Sequence, residues 1–216
     1  MIRAVLFDFG GVITTSPFDA FDAYERANGH PVGLIRSINS TNPDTNAWSK
    51  LERSDVDHDG FAELFEAEAR ALGQEINGHK ILDLLGGEVR PEMAEVVRRC
   101  TDRLITACLT NNFNASHGDG SGTDPADAER AADVQRVMNM FSAVIESRKV
   151  GVRKPEPQFY EIACELLKIE PIEAVFLDDL GINLKPARAM GMTTIKVTSA
   201  RQAIADLEAV VGFPLS

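Results

Sequence analysis

The sequence predicts an α/β fold: a Rossmann-like parallel sheet flanked by helices, with an all-helical segment inserted between the first strand and the first crossover helix. Three observations carry that expectation. From Arg90 onward, short apolar runs alternate with helix-period segments, the pattern of parallel strands joined by right-handed crossovers. The opening stretch holds a four-residue apolar run, Ala4 to Phe7, which delivers Asp8 into a glycine turn as a buried parallel strand does. Between the two, from Ser16 to Glu88, the periodicity is helical throughout.

The elements follow in order. Ser16-Pro17-Phe18-Asp19 reads as a helix N-cap with proline at the first helical position, leading into Phe18, Phe21 and Tyr24 at three-residue spacing. Further helical segments are expected over Val32 to Ile38, Asp44 to Arg53, Phe61 to Leu72 and His79 to Leu85. The remainder reads as helix Pro91 to Cys100, strand Leu104 to Leu109, helix Pro125 to Met138, strand Ala143 to Ile145 and helix Pro157 to Leu167. Strand Ala174 to Leu177, helix Leu184 to Met190 and strand Thr193 to Val197 complete it. The core would comprise residues 1–15 and 89–216, and residues 16–88 would form a cap over the sheet edge where Asp8 lies. Asn114 to Pro125, rich in Gly, Ser and Asp, is expected to be a flexible loop within reach of a substrate.

Lys plus Arg number 22 against 33 Asp plus Glu, for a formal charge of -11, and a surface so negative repels phosphate backbones and anionic lipid. Nucleic acid and membrane are therefore excluded as partners. A small phosphorylated substrate would need local positive charge from a metal ion or a placed lysine. Cys100, Cys108 and Cys164 lack metal-ligand spacing and lie in apolar-periodic segments, as buried thiols of a reducing cytoplasm do. No run approaches the roughly 20 apolar residues of a membrane span, and no charged-then-apolar signal segment opens the chain, so a cytoplasmic location is expected.

Burying an aspartate behind four apolar residues is costly unless a cation or a set of donors meets it; a plain turn cap at the strand end is the alternative reading. In open α/β sheets the chemistry gathers at the carboxyl ends of the strands. The residues found there are Asp8, then Thr110-Asn111-Asn112, then Lys154, then Asp178-Asp179. Carboxylates suit a hard cation, Thr and Asn donate to phosphate oxygens, and lysine offsets charge.

Four segments carry these groups: Leu6-Phe7-Asp8-Phe9-Gly10-Gly11-Val12-Ile13, Leu109-Thr110-Asn111-Asn112, Lys154-Pro155-Glu156-Pro157, and Phe176 through Met192 around Asp178-Asp179. They resemble the four motifs of the haloacid dehalogenase superfamily, and in particular the N-terminal phosphatase domain of soluble epoxide hydrolase and its bacterial relatives. That resemblance implies a nucleophilic Asp8 that forms an aspartyl-phosphate. It implies that Thr110 and Asn111 hold the phosphoryl oxygens and that Lys154 neutralises Asp8 and the transferring group. Mg²⁺ would be bound by Asp8, the Gly10 carbonyl and Asp179, with Asp178 behind them orienting a metal-bound water. The implied substrate is a small-molecule phosphate ester.

One position departs from the pattern. Phosphatases of the superfamily carry a second aspartate two residues after the nucleophile, and here that position is Gly10. A positioned acid-base group is worth about 10²- to 10⁴-fold, so the departure implies weak or selective turnover favouring leaving groups that depart without a proton. A catalytically idle phospho-ligand binder and a dehalogenase are the competing readings.

Asp55-Val56-Asp57-His58-Asp59-Gly60 with Glu66 also satisfies the spacing of an EF-hand calcium loop; the alternative is that Asp57 or Asp59 caps the helix near Phe61. The Phe18, Phe21, Tyr24 face either lines an apolar pocket or packs within the helical segment. Trp48 reads as core of that segment, His30, His58, His79 and His117 as surface or loop positions, and Arg153 either extends a positive ring or points to solvent.

Overall fold

Five strands form one parallel sheet in the order β3-β2-β1-β4-β5: β1 (Ala4–Phe7), β2 (Ile105–Thr110), β3 (Ala143–Glu146), β4 (Ala174–Asp178) and β5 (Thr193–Lys196). The computed structural model describes residues 1–111 and 125–215. Asn112, His117 and nearly all of the Asn114 to Pro125 segment lie outside the described residues.

β1 is the central strand. It pairs with β2 through Ala4↔Ile105 to Phe7↔Cys108 and with β4 through Ala4↔Ala174 to Phe7↔Leu177. Its side chains alternate between two buried layers. Val5 and Phe7 join Cys108, Val175 and Leu177 under α6 (Pro91–Thr101), α7 (Pro125–Met138) and α11 (Ala200–Val211). Ala4 and Leu6 join Ala107, Leu109 and Phe176 under α9 (Pro157–Leu167) and α10 (Gly181–Ala189). A strand covered on both faces must be apolar at every position, which is why Ala-Val-Leu-Phe reads as a continuous run rather than an alternation.

Between β1 and α6 the chain forms five helices: α1 (Pro17–Ala27), α2 (Leu34–Ser40), α3 (Ala47–Glu52), α4 (His58–Ala71) and α5 (Gly78–Asp83). They enclose a third apolar cluster, with Ile35, Phe61, Phe65 and Ile81 fully buried. Each such side chain contributes about 1.5–3 kcal/mol, so the insertion has a core of its own. Phe21 belongs to that cluster, and Phe18 and Tyr24 pack against it, so this face is consumed within the insertion. An antiparallel bridge, Thr14↔Val89, draws the two connecting segments together.

Local chemistry sets the helix starts. Ser16 accepts from the Phe18 N–H ahead of Pro17, Asn46 accepts from the Ser49 N–H at α3, and Asp57 accepts from the Gly60 N–H at α4. Two helices are additional to the expected set: the single turn α8 (Ser147–Val150) and α11, which Ser199 caps. The three cysteines are buried free thiols, and among the described residues no helix is long and apolar enough to cross a membrane.

Candidate active site

The parallel sheet places the residues that follow β1, β2 and β4 along one carboxyl edge. Asp8, only 8% exposed, extends the β1 ladder by one bond, its N–H donating to the Leu177 carbonyl at 2.8 Å. Lys154 comes from the loop between α8 and α9 and is 1% exposed. Its Nζ lies 2.7 Å from Asp8 Oδ1 and 3.0 Å from Asp178 Oδ2. Asp8, Asp178 and half-buried Asp179 bring carboxylate oxygens within 4.8 Å of one another.

The three carboxylates are held differently. Asp178 is fully buried and saturated: Oδ1 accepts from the Leu180 N–H at 2.7 Å and from Asn183 Nδ2 at 3.1 Å, and Oδ2 from Asn183 Nδ2 at 3.0 Å and Lys154 Nζ. On Asp8 the contacts converge on Oδ1, from Lys154 and from the Phe9 N–H at 2.6 Å; among the described residues no hydrogen bond reaches Oδ2. Asp179 lies against Gly11, whose φ is +75° and where a Cβ would come within 2.2 Å of Asp179 Oδ2. Glycine is required there for both its backbone angle and this close approach.

Electrostatically the cluster is unbalanced, with three carboxylates around one ammonium. Burial raises the Asp8 carboxyl well above its ordinary range; Lys154 opposes this, and Asp178 and Asp179 add to it. Burial followed by the Asp178 charge pushes Asp179 up to about 6. Burial alone would lower the Lys154 ammonium, but the Asp178 and Asp8 charges overcome it and hold the proton more tightly than in free lysine. All the side-chain donors are hard oxygens, and their negative charge exceeds what Lys154 neutralises, so the residues suit a divalent cation such as Mg²⁺.

Thr110, 8% exposed, ends β2 beside this cluster. Asn111 is engaged elsewhere than expected. Its Nδ2 donates to the Lys154 carbonyl at 2.9 Å, and its Oδ1 accepts from the Lys154 N–H at 2.9 Å. The side chain therefore brackets the Lys154 backbone. Around Gly10 the space is open: an added Cβ would meet nothing within 4 Å.

A second buried charge group adjoins the first. Glu52, the last residue of α3, accepts from Arg153 Nη1 at 2.5 Å, from Trp48 Nε1 at 3.1 Å and from Asn111 Nδ2 at 3.4 Å. Burial raises its carboxyl, and Arg153 opposes the shift. Arg153 thus neither joins a positive ring nor faces solvent; it turns to the helical insertion, where its Nη2 also donates to the Pro43 carbonyl. Trp48 packs on Phe61 with ring centroids 5.4 Å apart, as core of the insertion.

Glu52 and Asn183 escaped the reading of the sequence, since an acid at a helix end and an amide five residues after Asp178 carry no spacing signal. The calcium-loop spacing is not realised. The chain is helical from His58 onward, Asp57 serves as the α4 cap, Asp59 faces His79 at 3.5 Å, and Glu66 accepts from the Gly78 N–H at 3.1 Å. Carboxylates strung along a helix in this way cannot encircle one ion. Of the other histidines, His30 meets Gln74 at 3.1 Å and stacks on Tyr24.

A model of the haloacid dehalogenase-like hydrolases matches residues 2–191. The chain belongs to this family. Over 219 residues, 99% of the chain, it is 33% identical to acyl-CoA dehydrogenase family member 10 of Mus musculus, and over 123 residues, 57% of the chain, 40% identical to bifunctional epoxide hydrolase 2 of the same species. It covers 19% and 21% of those proteins, about a fifth of each. A sesquiterpene phosphatase of Aspergillus oryzae is 24% identical, with 97% of both chains aligned. Among solved structures, a family enzyme of Bacteroides thetaiotaomicron in complex with magnesium and inorganic phosphate aligns with TM-score 0.60 and 17% identity, covering 91% of this chain and 94% of that one. L-2-haloacid dehalogenase of Xanthobacter autotrophicus, with chloropropionic acid covalently bound, aligns with TM-score 0.61 and 21% identity, covering 100% and 85%. The two align equally well, so the hydrolase fold by itself does not choose between phosphoryl and halide chemistry.

Proposed function

We propose that this hydrolase is a Mg²⁺-dependent phosphatase of a small phosphate ester, acting through Asp8, with residues 16–88 as a cap over a core of residues 1–15 and 89–216. The observation that carries the reading is the uncompensated negative charge of Asp8, Asp178 and Asp179 around Lys154, since a dehalogenase that works without metal has little use for three clustered carboxylates. Relatives named as phosphatases and a fold neighbour in complex with magnesium and phosphate favour the same choice. The buried free thiols accord with a reducing, cytoplasmic setting.

In this reading Asp8 Oδ2 attacks phosphorus, the bond to the leaving oxygen breaks, and an aspartyl-phosphate forms. Water then attacks the same phosphorus, breaks its bond to Asp8 and releases inorganic phosphate. Lys154 holds Oδ1, leaving Oδ2 as the nucleophilic oxygen, and its charge offsets that of the phosphoryl group. The Thr110 hydroxyl and the Asn111 backbone N–H hold the phosphoryl oxygens, while the Asn111 side chain fixes Lys154. Asp8, the Gly10 carbonyl and Asp179 would hold Mg²⁺, with Asp178, fixed by its own hydrogen bonds, behind them. When bound, the ion neutralises charge developing on the phosphoryl oxygens.

The missing step is protonation of the leaving oxygen. Gly10 provides no acid, so aryl and acyl phosphates, whose leaving groups depart as anions, turn over best. Because the space at Gly10 is open, Gly10→Asp should raise alkyl-phosphate turnover about 10²- to 10⁴-fold with little change for aryl phosphates. Unchanged alkyl-phosphate turnover sinks this account of Gly10. Gly10 also favours a second reading, an idle binder of phosphorylated ligands, which steady phosphate release by the wild type and its loss in Asp8→Asn would exclude.

A further inference from the structure

The end of α3 meets the loops of the active site through an unusually connected carboxylate. Glu52 and Arg153 pair with side chains 9% and 10% exposed, one from the helical insertion and the other from the residue immediately before Lys154. Glu52 also reaches Asn111, whose side chain brackets the Lys154 backbone with two hydrogen bonds, so a single carboxylate touches both supports of that lysine. Its own carbonyl accepts from Ser147 Oγ at 2.7 Å, tying α3 to the residue that follows β3. The adjacent Arg53 pairs with Glu156 at 2.6 Å, two residues beyond Lys154, with the charges reversed. These contacts fall on the segment carrying Lys154 and on the residues just after β2 and β3.

We propose that Glu52 is a positioning residue: through Arg153 and Asn111 it registers the helical insertion on the core and sets the place of the Lys154 ammonium between Asp8 and Asp178. The inference rests on the phosphatase reading of the same cluster. Lys154 Nζ satisfies two carboxylates at 2.7 and 3.0 Å, and hydrogen bonds of that kind tolerate shifts of only tenths of an ångström. A displacement of about 1 Å at a reacting group costs up to about 100-fold in rate. Arg153 left without its partner would pull on the residue next to Lys154.

The test compares Glu52→Gln with Phe65→Leu, a change in the insertion's own core at a side chain that makes none of these hydrogen bonds or ion pairs. Steady-state hydrolysis of p-nitrophenyl phosphate with Mg²⁺, and thermal unfolding, are measured for both and for wild type. Glu52→Gln should lower kcat by about 10- to 100-fold with KM within about threefold. Phe65→Leu should lower Tm at least as much while retaining kcat. If Glu52→Gln keeps kcat within twofold, or if both variants lose kcat in proportion to their loss of Tm, Glu52 has no positioning role. Calorimetric binding of orthovanadate with Mg²⁺ reads the same geometry without turnover. Weaker binding by Glu52→Gln than by wild type sustains the inference even if wild type hydrolyses nothing, whereas equal binding overturns it. A wild type that neither turns over aryl phosphate nor binds vanadate brings down the phosphatase reading, and the inference falls with it.

Discussion

Two buried charge groups sit side by side in this protein, and they are built to opposite rules. Around Lys154 three carboxylates share one ammonium; around Arg153 one carboxylate meets one guanidinium and is further saturated by an indole and an amide. The second group is neutral as it stands. The first is stable in full ionised form only with added positive charge, and its strain appears as the raised carboxyls of Asp8 and Asp179. Unbalanced buried charge points to chemistry and balanced buried charge to register, although the two groups share the dipeptide Arg153-Lys154.

The largest test of that contrast is Asp8→Asn. In the proposed phosphatase reading, this substitution should cut turnover by about 10⁴-fold or more in a phosphate-release assay. Its effect on stability should have the opposite sign. A carboxyl raised by folding contributes stability below its unfolded pKa and loses it as pH rises through the folded value, so at neutral pH without metal the charge of Asp8 is a liability. Removing that charge should raise Tm, a gain equivalent to about 0.5–2 kcal/mol.

Lys154→Met should do the reverse, leaving buried Asp8 and Asp178 and half-buried Asp179 together without their cation and destabilising the protein by about 3–5 kcal/mol in urea unfolding. In the balanced group, Arg153→Met alone should cost a similar amount, but Glu52→Met combined with Arg153→Met should recover most of it, a coupling that a double-mutant cycle measures directly. Were the recovery absent, the neutrality of that group would be wrong.

Mg²⁺ and pH give a milder test than either charge deletion at Lys154 or Arg153. At about 100 times its dissociation constant the ion should add about 2.7 kcal/mol to stability. Protons compete for the same oxygens, and Asp179 titrates at about 6, so the Mg²⁺-induced rise in Tm should shrink as pH falls from 7 to 5. A shift that does not vary with pH would place the ion elsewhere.

The sheet was legible because strands buried on both faces leave continuous apolar runs, as in Ala174 to Leu177. Asp8 and Asp178-Asp179 were legible because strand ends converge on one edge, whereas Lys154 stands not at a strand end but in the loop between α8 and α9. α11 too is marked in the sequence, by a Ser199 cap and by Ala200, Ala203 and Leu207 at helical spacing. Glu52 with Arg153 had none, since 101 residues separate them and only tertiary packing brings them together. Of the two readings open for the acidic spacing over Asp55 to Glu66, the helix cap holds: a ligand pattern binds an ion only on a loop free to wrap, and here helix propensity and the Asp57 cap prevailed.

The position of β1 has a consequence for how the protein acquires its chemistry. The strand that carries Asp8 finds its partners about 100 and 170 residues along the chain, at Ile105 and Ala174, so no local folding event can bring the carboxylates together. Pairing at such separations is slow, because loop closure must precede the contacts that reward it. During synthesis the candidate site cannot exist until β4 has emerged and docked, so its assembly reports that the centre of the sheet, β2-β1-β4, has closed.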